Sequence, residues 1–173
     1  MCRLRRPGFG CRLCPNHSLC LPAFRGAVDR LPRDPVLITA SLASDPASLL
    51  TRLKCATRDI ERGRAIRDWR DRYPAPKRLV DVRRWLAETG PAADDLLTLL
   101  GASEPHNTLP KVVAAIRVAR DPLSLRDLAV RGEDLIAAGV RPGPEVGEAL
   151  QRLLEEVIGD PSRNTRDYLL TRV

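Results

Sequence analysis

The sequence predicts an all-α protein: a bundle of short helices followed by a small helical tail, with a poorly ordered leader in front. Three observations carry this. Aromatic residues make up only 3% of the chain, whereas strand-rich sandwiches and barrels lean on aromatic and β-branched side chains. From about residue 45 onward, apolar residues recur at steps of three and four, the period of one helix face. Gly and Pro fall where such stretches end and begin. With 173 residues, 43% of them hydrophobic, the chain can bury one sizeable core or two small ones and lies well clear of disordered compositions.

Residues 1–45 form the expected leader. Pro7, Pro22, Pro32, Pro35 and Pro46 punctuate it or close it, and its one apolar run, Pro35 to Ala43, has no helical period. Asp45-Pro46 then reads as an N-cap followed by proline at the first helical position, with Leu49, Leu50 and Leu53 on one face. A second helix is expected from about Thr57 to Arg72, placing Ile60, Ile66 and Trp69 inward and Arg58, Arg62, Arg64, Arg67 and Arg70 mostly outward. A third runs from near Lys77 to Gly90, and a fourth opens at Pro91 and closes at Gly101. A fifth follows an Asn107-Thr108 cap and stops before Pro122. The bundle thus covers residues 46–121 and the tail 122–173. In the tail a short helix from about Glu133 to Ala138 needs a left-handed residue at Gly139. Pro144 then opens a strongly amphipathic helix that ends at Gly159, and Asn164-Thr165 caps a last helix through Leu170.

The formal net charge is +7, which points to a polyanionic partner. It is unevenly spread. Residues 52–84 carry twelve basic against five acidic groups, and residues 121–173 seven against ten. The expected anion-facing surface therefore lies between Arg52 and Arg84. Arg58 and Arg62, one helical turn apart, share a face there and are candidate RNA contacts. Arg141 is a third candidate, because it precedes the start of a helix, where free backbone N–H groups suit a phosphate. The turn around it also reads as a plain helix–helix corner, since Pro142 and Pro144 lack N–H donors and Glu145 would repel a phosphate.

Four of the five cysteines lie in the first twenty residues, and Cys11, Cys14, His17 and Cys20 stand at zinc-ligand intervals. All four share ten residues that include Pro15, whereas structural zinc sites usually draw two ligand pairs from separate elements. No metal is expected there. No apolar signal-peptide core follows Met1, so a disulfide framework is not expected either. No apolar run approaches the roughly 20 residues that cross a bilayer.

The order Asp127-Leu-Ala-Val, Asp134-Leu135, Gly139-x-x-Pro142-Gly143-Pro144-x-x-Gly147, an amphipathic helix and a closing Asn164-Thr165-Arg166 resembles the C-terminal region of bacterial CCA-adding tRNA nucleotidyltransferases, in the poly(A) polymerase superfamily. Upstream, Leu53 to Ile66 and Val82 to Leu97 are similar to the helical body preceding that region. The resemblance covers about residues 49–173. It implies tRNA as partner, a cytoplasmic location, and a mainly structural role for Asp134, Leu135, Gly139, Pro142, Gly143, Pro144 and Gly147. Such enzymes place catalysis in an N-terminal head, with two Mg2+ ions held by a Gly-Ser loop and an Asp-x-Asp pair. Neither pattern occurs here, nor does the family's nucleotide-selecting Glu-Asp-x-x-Arg element, nor the His-Asp pair of its phosphohydrolase insert. Asp94-Asp95 is an adjacent pair on a helix.

A search for other chemistry agrees. No phosphate loop ending in Lys-Ser or Lys-Thr and no Gly-x-Ser-x-Gly elbow is present, and His17 and His106 stand far apart. The expectation is a tRNA-binding part of a CCA-adding enzyme, with no catalytic residues and no cofactor of its own, inactive without a separate catalytic head. A non-catalytic helical interaction protein or a gene remnant is the alternative.

Overall fold

The computed structural model describes residues 28–173, and among them the regular structure is helical throughout. Helix α1 spans Pro35–Leu42, α2 Pro46–Arg52, α3 Thr57–Trp69, α4 Leu79–Thr89, α5 Ala92–Ser103 and α6 Leu109–Ala119. A 3-10 turn at Leu125–Asp127 leads to α7, Gly132–Ala137, and α8, Pro144–Gly159. A second 3-10 turn, Pro161–Arg163, precedes α9, Arg166–Leu170.

Part of the expected leader is regular structure, and its residues 1–27 lie outside the described residues. Pro35–Leu42 is a helix, not irregular chain, and its Val36, Leu37 and Ala40 are buried. It starts by the device that starts α2. Asp34 accepts hydrogen bonds from the Val36 and Leu37 N–H groups at 2.8 and 3.3 Å, and Pro35 takes the first helical position, where a missing N–H costs nothing. Apolar Ile38 and Leu42 lie off the face that Val36, Leu37 and Ala40 bury, so α1 carries little periodic signal.

Helix α5 runs on through Gly101 to Ser103, past the end that the sequence reading gave it, whereas α6 stops before Pro122 as expected, with Arg120 closing it. The Asn107 carboxamide accepts from the Leu109 N–H at 2.8 Å, so Asn107 caps α6.

Two hydrophobic cores result. The first gathers Leu37, Leu50, Ile66, Val82, Trp85, Leu96, Leu109 and Val113 from α1 to α6. Helix α2 comes very close to α3: a Cβ added at the buried Gly63 would stand 2.8 Å from Leu50 Cδ1 and 3.5 Å from the Ala47 backbone nitrogen. The second core gathers Leu128, Val130, Leu135, Leu153, Val157 and Leu169. Helix α4 lines both, sending Val82, Trp85 and Leu86 into the first and packing Ala87 on the second. An ion pair between Arg84 and Glu155 of α8 ties the junction, and a largely buried pair, Arg83 to Asp121 at 2.6 Å, anchors the chain where it leaves α6.

Candidate nucleic-acid interface

The arginines of α3 divide by what they touch. Arg62 faces inward. Its Nε and Nη2 donate to the two carboxylate oxygens of Asp95 on α5 at 2.5 and 2.6 Å, and its Nη1 donates to Asp34 at 2.8 Å. Hydrogen bonding to Asp95 raises the Arg62 pKa further above its ordinary value, against the effect of burial. Burial pushes the Asp34 carboxyl up, but the Arg62 guanidinium and the N–H groups of Leu37 and Val36 together hold it below the usual carboxylate range. Arg70 donates to the carbonyls of Ala40, Ala43 and Ser44, satisfying the end of α1. Arg67 reaches Asp45, the cap of α2, at 3.2 Å. These three guanidinium groups tie α1, α2 and α5 to α3.

Arg58 is different. Its side chain is 89% exposed, against 34% for Arg62, and its nearest carboxylate is the neighbouring Asp59 at 3.6 Å. Arg58 and Arg62 thus share a helix face in sequence but not a function, because the second is bound by two carboxylates from elsewhere in the chain.

The excess charge of residues 52–84 shrinks for the same reason. Asp34, Asp95, Asp45, Asp121 and Glu155 all lie outside that segment and neutralise Arg62, Arg67, Arg83 and Arg84 within it. The cations left over fall at the two ends of α3, about 20 Å apart for a 13-residue helix. At its start, on the corner with α2, are Arg52, Lys54 and Arg58, all exposed. Beyond its end, in the connection to α4, are Arg72, Lys77 and Arg78. The Arg72 guanidinium sits 5.8 Å over the Trp69 ring, and Arg78 pairs with Asp81 at 3.3 Å. Among the described residues no carboxylate lies within 4.0 Å of the charged groups of Arg52, Lys54, Arg72 or Lys77. An extended polyanion satisfies both clusters where a small anion reaches only one.

The tail motif is mostly framework. Asp134 accepts from the Arg131 N–H at 2.7 Å and from Arg166 Nη2 at 2.6 Å, fixing the start of α7 and tying α9 to it. Leu135 is wholly buried at the centre of the second core. Gly139 has φ +105 and ends α7, its N–H donating to the Ile136 carbonyl and that of Val140 to the Leu135 carbonyl, both at 3.0 Å. Gly143, at φ +129, caps α8 and is followed by Pro144 at the first helical position. Pro142 is exposed on this turn. Gly147 lies inside α8 with open space where a Cβ would sit, and nothing in the structure explains it. Arg141 is exposed on the α7–α8 turn, in the tail, on elements other than those that carry the α3 clusters.

In a correction to the expected Asn164-Thr165 cap, Thr165 is the N-cap residue of α9 but makes no side-chain capping bond, and Asn164 is used elsewhere. Its Nδ2 donates to the Asp127 carbonyl and its Oδ1 accepts from the Ala129 N–H, both at 2.8 Å, so one carboxamide pairs with the extended backbone entering the second core. Asp127 in turn holds the N–H groups of Leu123 and Ser124.

Several other carboxylates are engaged structurally. Asp94 pairs with Arg117 at 2.7 Å, as Asp95 does with Arg62. Glu156 collects the Tyr168 hydroxyl at 2.6 Å and Arg163 and Arg172 at 3.3 Å; the Tyr168 bond leads in lowering its pKa, which burial opposes. No cluster of three or more His, Cys, Asp or Glu side chains placed to hold a metal occurs among the described residues. Cys11, Cys14, His17 and Cys20 lie outside them. His106 is exposed in the loop before α6. No helix among the described residues is long and apolar enough to cross a membrane.

Sequence reasoning missed Lys54, Arg72 and Lys77 as separate points of free charge. The available signal was the absence of any acid three or four residues from Lys54 and Lys77 other than Asp81.

Residues 36–173 match the family model of tRNA nucleotidyltransferase domain 2. A CCA-adding enzyme of Lacticaseibacillus paracasei is 35% identical over 78 residues, which make up 45% of this chain and 19% of that enzyme. The chain is therefore similar to about a fifth of that relative's length. No solved structure matches.

Proposed function

Since the chain belongs to the tRNA nucleotidyltransferase domain 2 family, we propose that these residues hold a tRNA for CCA addition while nucleotidyl transfer takes place on a catalytic head outside them. The observation that supports this reading is the pair of cation clusters at the two ends of α3, in which Arg52, Lys54, Arg72 and Lys77 have no carboxylate partner among the described residues and Arg58 is the most exposed guanidinium on that helix. Their separation suits successive stretches of an RNA backbone. An A-form helix hides its base edges in a deep groove, so a helical module meets phosphates and 2′-hydroxyls, and shape is read rather than sequence. Arg141 extends the contact if the tRNA also reaches the tail. In this reading the Mg2+ ions of phosphoryl transfer would sit on that head. A tRNA substrate places the protein in the cytoplasm.

Titrating labelled tRNA with the purified chain across a salt series tests this. Log affinity should fall linearly with log salt, with a slope of about −0.7 to −0.9 per phosphate contacted. Different tRNAs should bind alike, and Arg58→Ala should flatten the slope by about one contact. Arg141→Ala should do the same if the tail turn touches RNA. Affinity that ignores salt and both substitutions overturns the reading and favours a helical interaction protein. The chain alone should incorporate neither CTP nor ATP into tRNA; incorporation by clean protein would show that transfer does not need a separate head.

A further inference from the structure

Among the described residues, only two that are not glycine have left-handed backbone: Lys54 at φ +54 and Arg120 at φ +55. Both occupy the same structural position. The Lys54 N–H donates to the Thr51 carbonyl and the Cys55 N–H to the Leu50 carbonyl, each at 3.0 Å. The Arg120 N–H donates to Arg117 at 3.1 Å, and the Asp121 N–H to Ile116 at 3.2 Å. This pair of bonds closes a helix through a left-handed residue, which is usually glycine because a Cβ crowds the following carbonyl. The chain follows that preference at the end of α7, where Gly139 makes the same two bonds. At the ends of α2 and α6 it sets a long cation instead.

Among the described residues nothing compensates for either choice. Both side chains are exposed, so packing does not explain them. No carboxylate among the described residues pairs with either, and Asp121, beside Arg120, is already held by Arg83 at 2.6 Å. A cation near a helix C-terminus interacts favourably with the helix dipole, but Arg52 and Arg117 supply that in the last turns of the same two helices, without strain. Backbone strain that the fold leaves uncompensated points to a role outside it.

We propose that Lys54 and Arg120 are phosphate contacts for the tRNA backbone, each rooted in a helix end whose two hydrogen bonds fix its Cα. The proposal rests on the tRNA-binding reading above and names residues of that interface. Its chemistry is charge neutralisation with counterion release.

Glycine at each position provides a test that misfolding cannot imitate, because it removes the cation and relieves the strain together. Lys54→Gly and Arg120→Gly should each raise the melting temperature of the full chain by about 2–4 °C. Each should weaken tRNA binding about sixfold at 0.1 M salt, the loss of one counterion-releasing contact, and flatten the salt slope by about 0.7 to 0.9. Lys54→Arg, which keeps charge and strain, should retain wild-type affinity. Glycine variants that melt higher yet bind tRNA as wild type does would overturn the proposal while leaving the tRNA reading intact. Loss of affinity at only one of the two positions would overturn the assignment of the other. A wild-type chain without salt-dependent tRNA affinity would overturn both readings.

Discussion

Replacing Arg62 by alanine removes the guanidinium that joins the start of α1, the middle of α3 and the first turn of α5. Three donated hydrogen bonds disappear, at 2.5, 2.6 and 2.8 Å. The Asp95 side chain, 14% exposed, is left without its partner, and Asp34 keeps only its two backbone donors. An exposed ion pair contributes about 0–1 kcal/mol, and breaking a buried one costs about 3–5 kcal/mol. With Arg62 itself about one-third exposed, solvent screens part of the interaction, and we expect a loss of about 2 kcal/mol. For a chain of this length that lowers the melting temperature by roughly 4–8 °C. Arg58→Ala, at a site that touches little, should stay within about 0.5 kcal/mol of wild type. Thermal and urea denaturation of the two variants measures this. Titrating tRNA well below both transitions then separates the roles: Arg62→Ala should bind as wild type does, and Arg58→Ala should bind more weakly with a flatter salt slope. If Arg62→Ala melts with wild type and loses as much tRNA affinity as Arg58→Ala, the assignment of Arg62 to the framework is refuted.

Gly63→Ala sets a helix-propensity gain of about 1 kcal/mol against overpacking of about 1–3 kcal/mol where the new Cβ meets Leu50; a net loss is expected by urea denaturation, and a stabilised variant would contradict the close approach of α2 to α3. Asn164→Ala leaves the Asp127 carbonyl and Ala129 N–H without their partner. It should cost about 1–2 kcal/mol, read as faster amide exchange at Ala129. The carboxyls of Asp34 and Asp127 are held below their ordinary pKa in the folded chain, in each case because hydrogen bonds outweigh the opposing effect of burial. Their contribution to stability is therefore complete above the unfolded value of about 3.9 and is lost as pH falls through the lower folded values. Urea midpoints measured between pH 6 and 2 should drop at the acid end, and Asp34→Asn should shrink that drop.

Most helices were legible because their punctuation is local. Pro144 after Gly143, Gly139 after Ala138, and Val146, Ala149, Leu153 and Val157 at steps of three and four each announce α7 or α8 within a few residues. Helix α1 was not legible, since apolar residues both on and off its buried face leave no period to read. Its Asp34-Pro35 start is the same signal as Asp45-Pro46 and was available. Lysine and arginine stand where glycine would mark the ends of α2 and α6, so the end of α6 was legible only through Pro122. At the interface, a count of charges along the chain placed the cations but not their partners: Asp95 lies 33 residues from Arg62, and Asp121 lies 38 from Arg83. Only folding shows which guanidinium groups remain free.

Helix α4 gives the two cores unequal standing in time. Ribosomal synthesis delivers residues 28–121 first, and these already include every helix of the first core, so the bundle can close before α8 has emerged. Arg84 and the small face at Ala87 then wait at its surface, and the later segment condenses onto a wall that already exists. The tail inherits its foundation from α4, whereas Val82, Trp85 and Leu86 face the core that α1 to α6 build together.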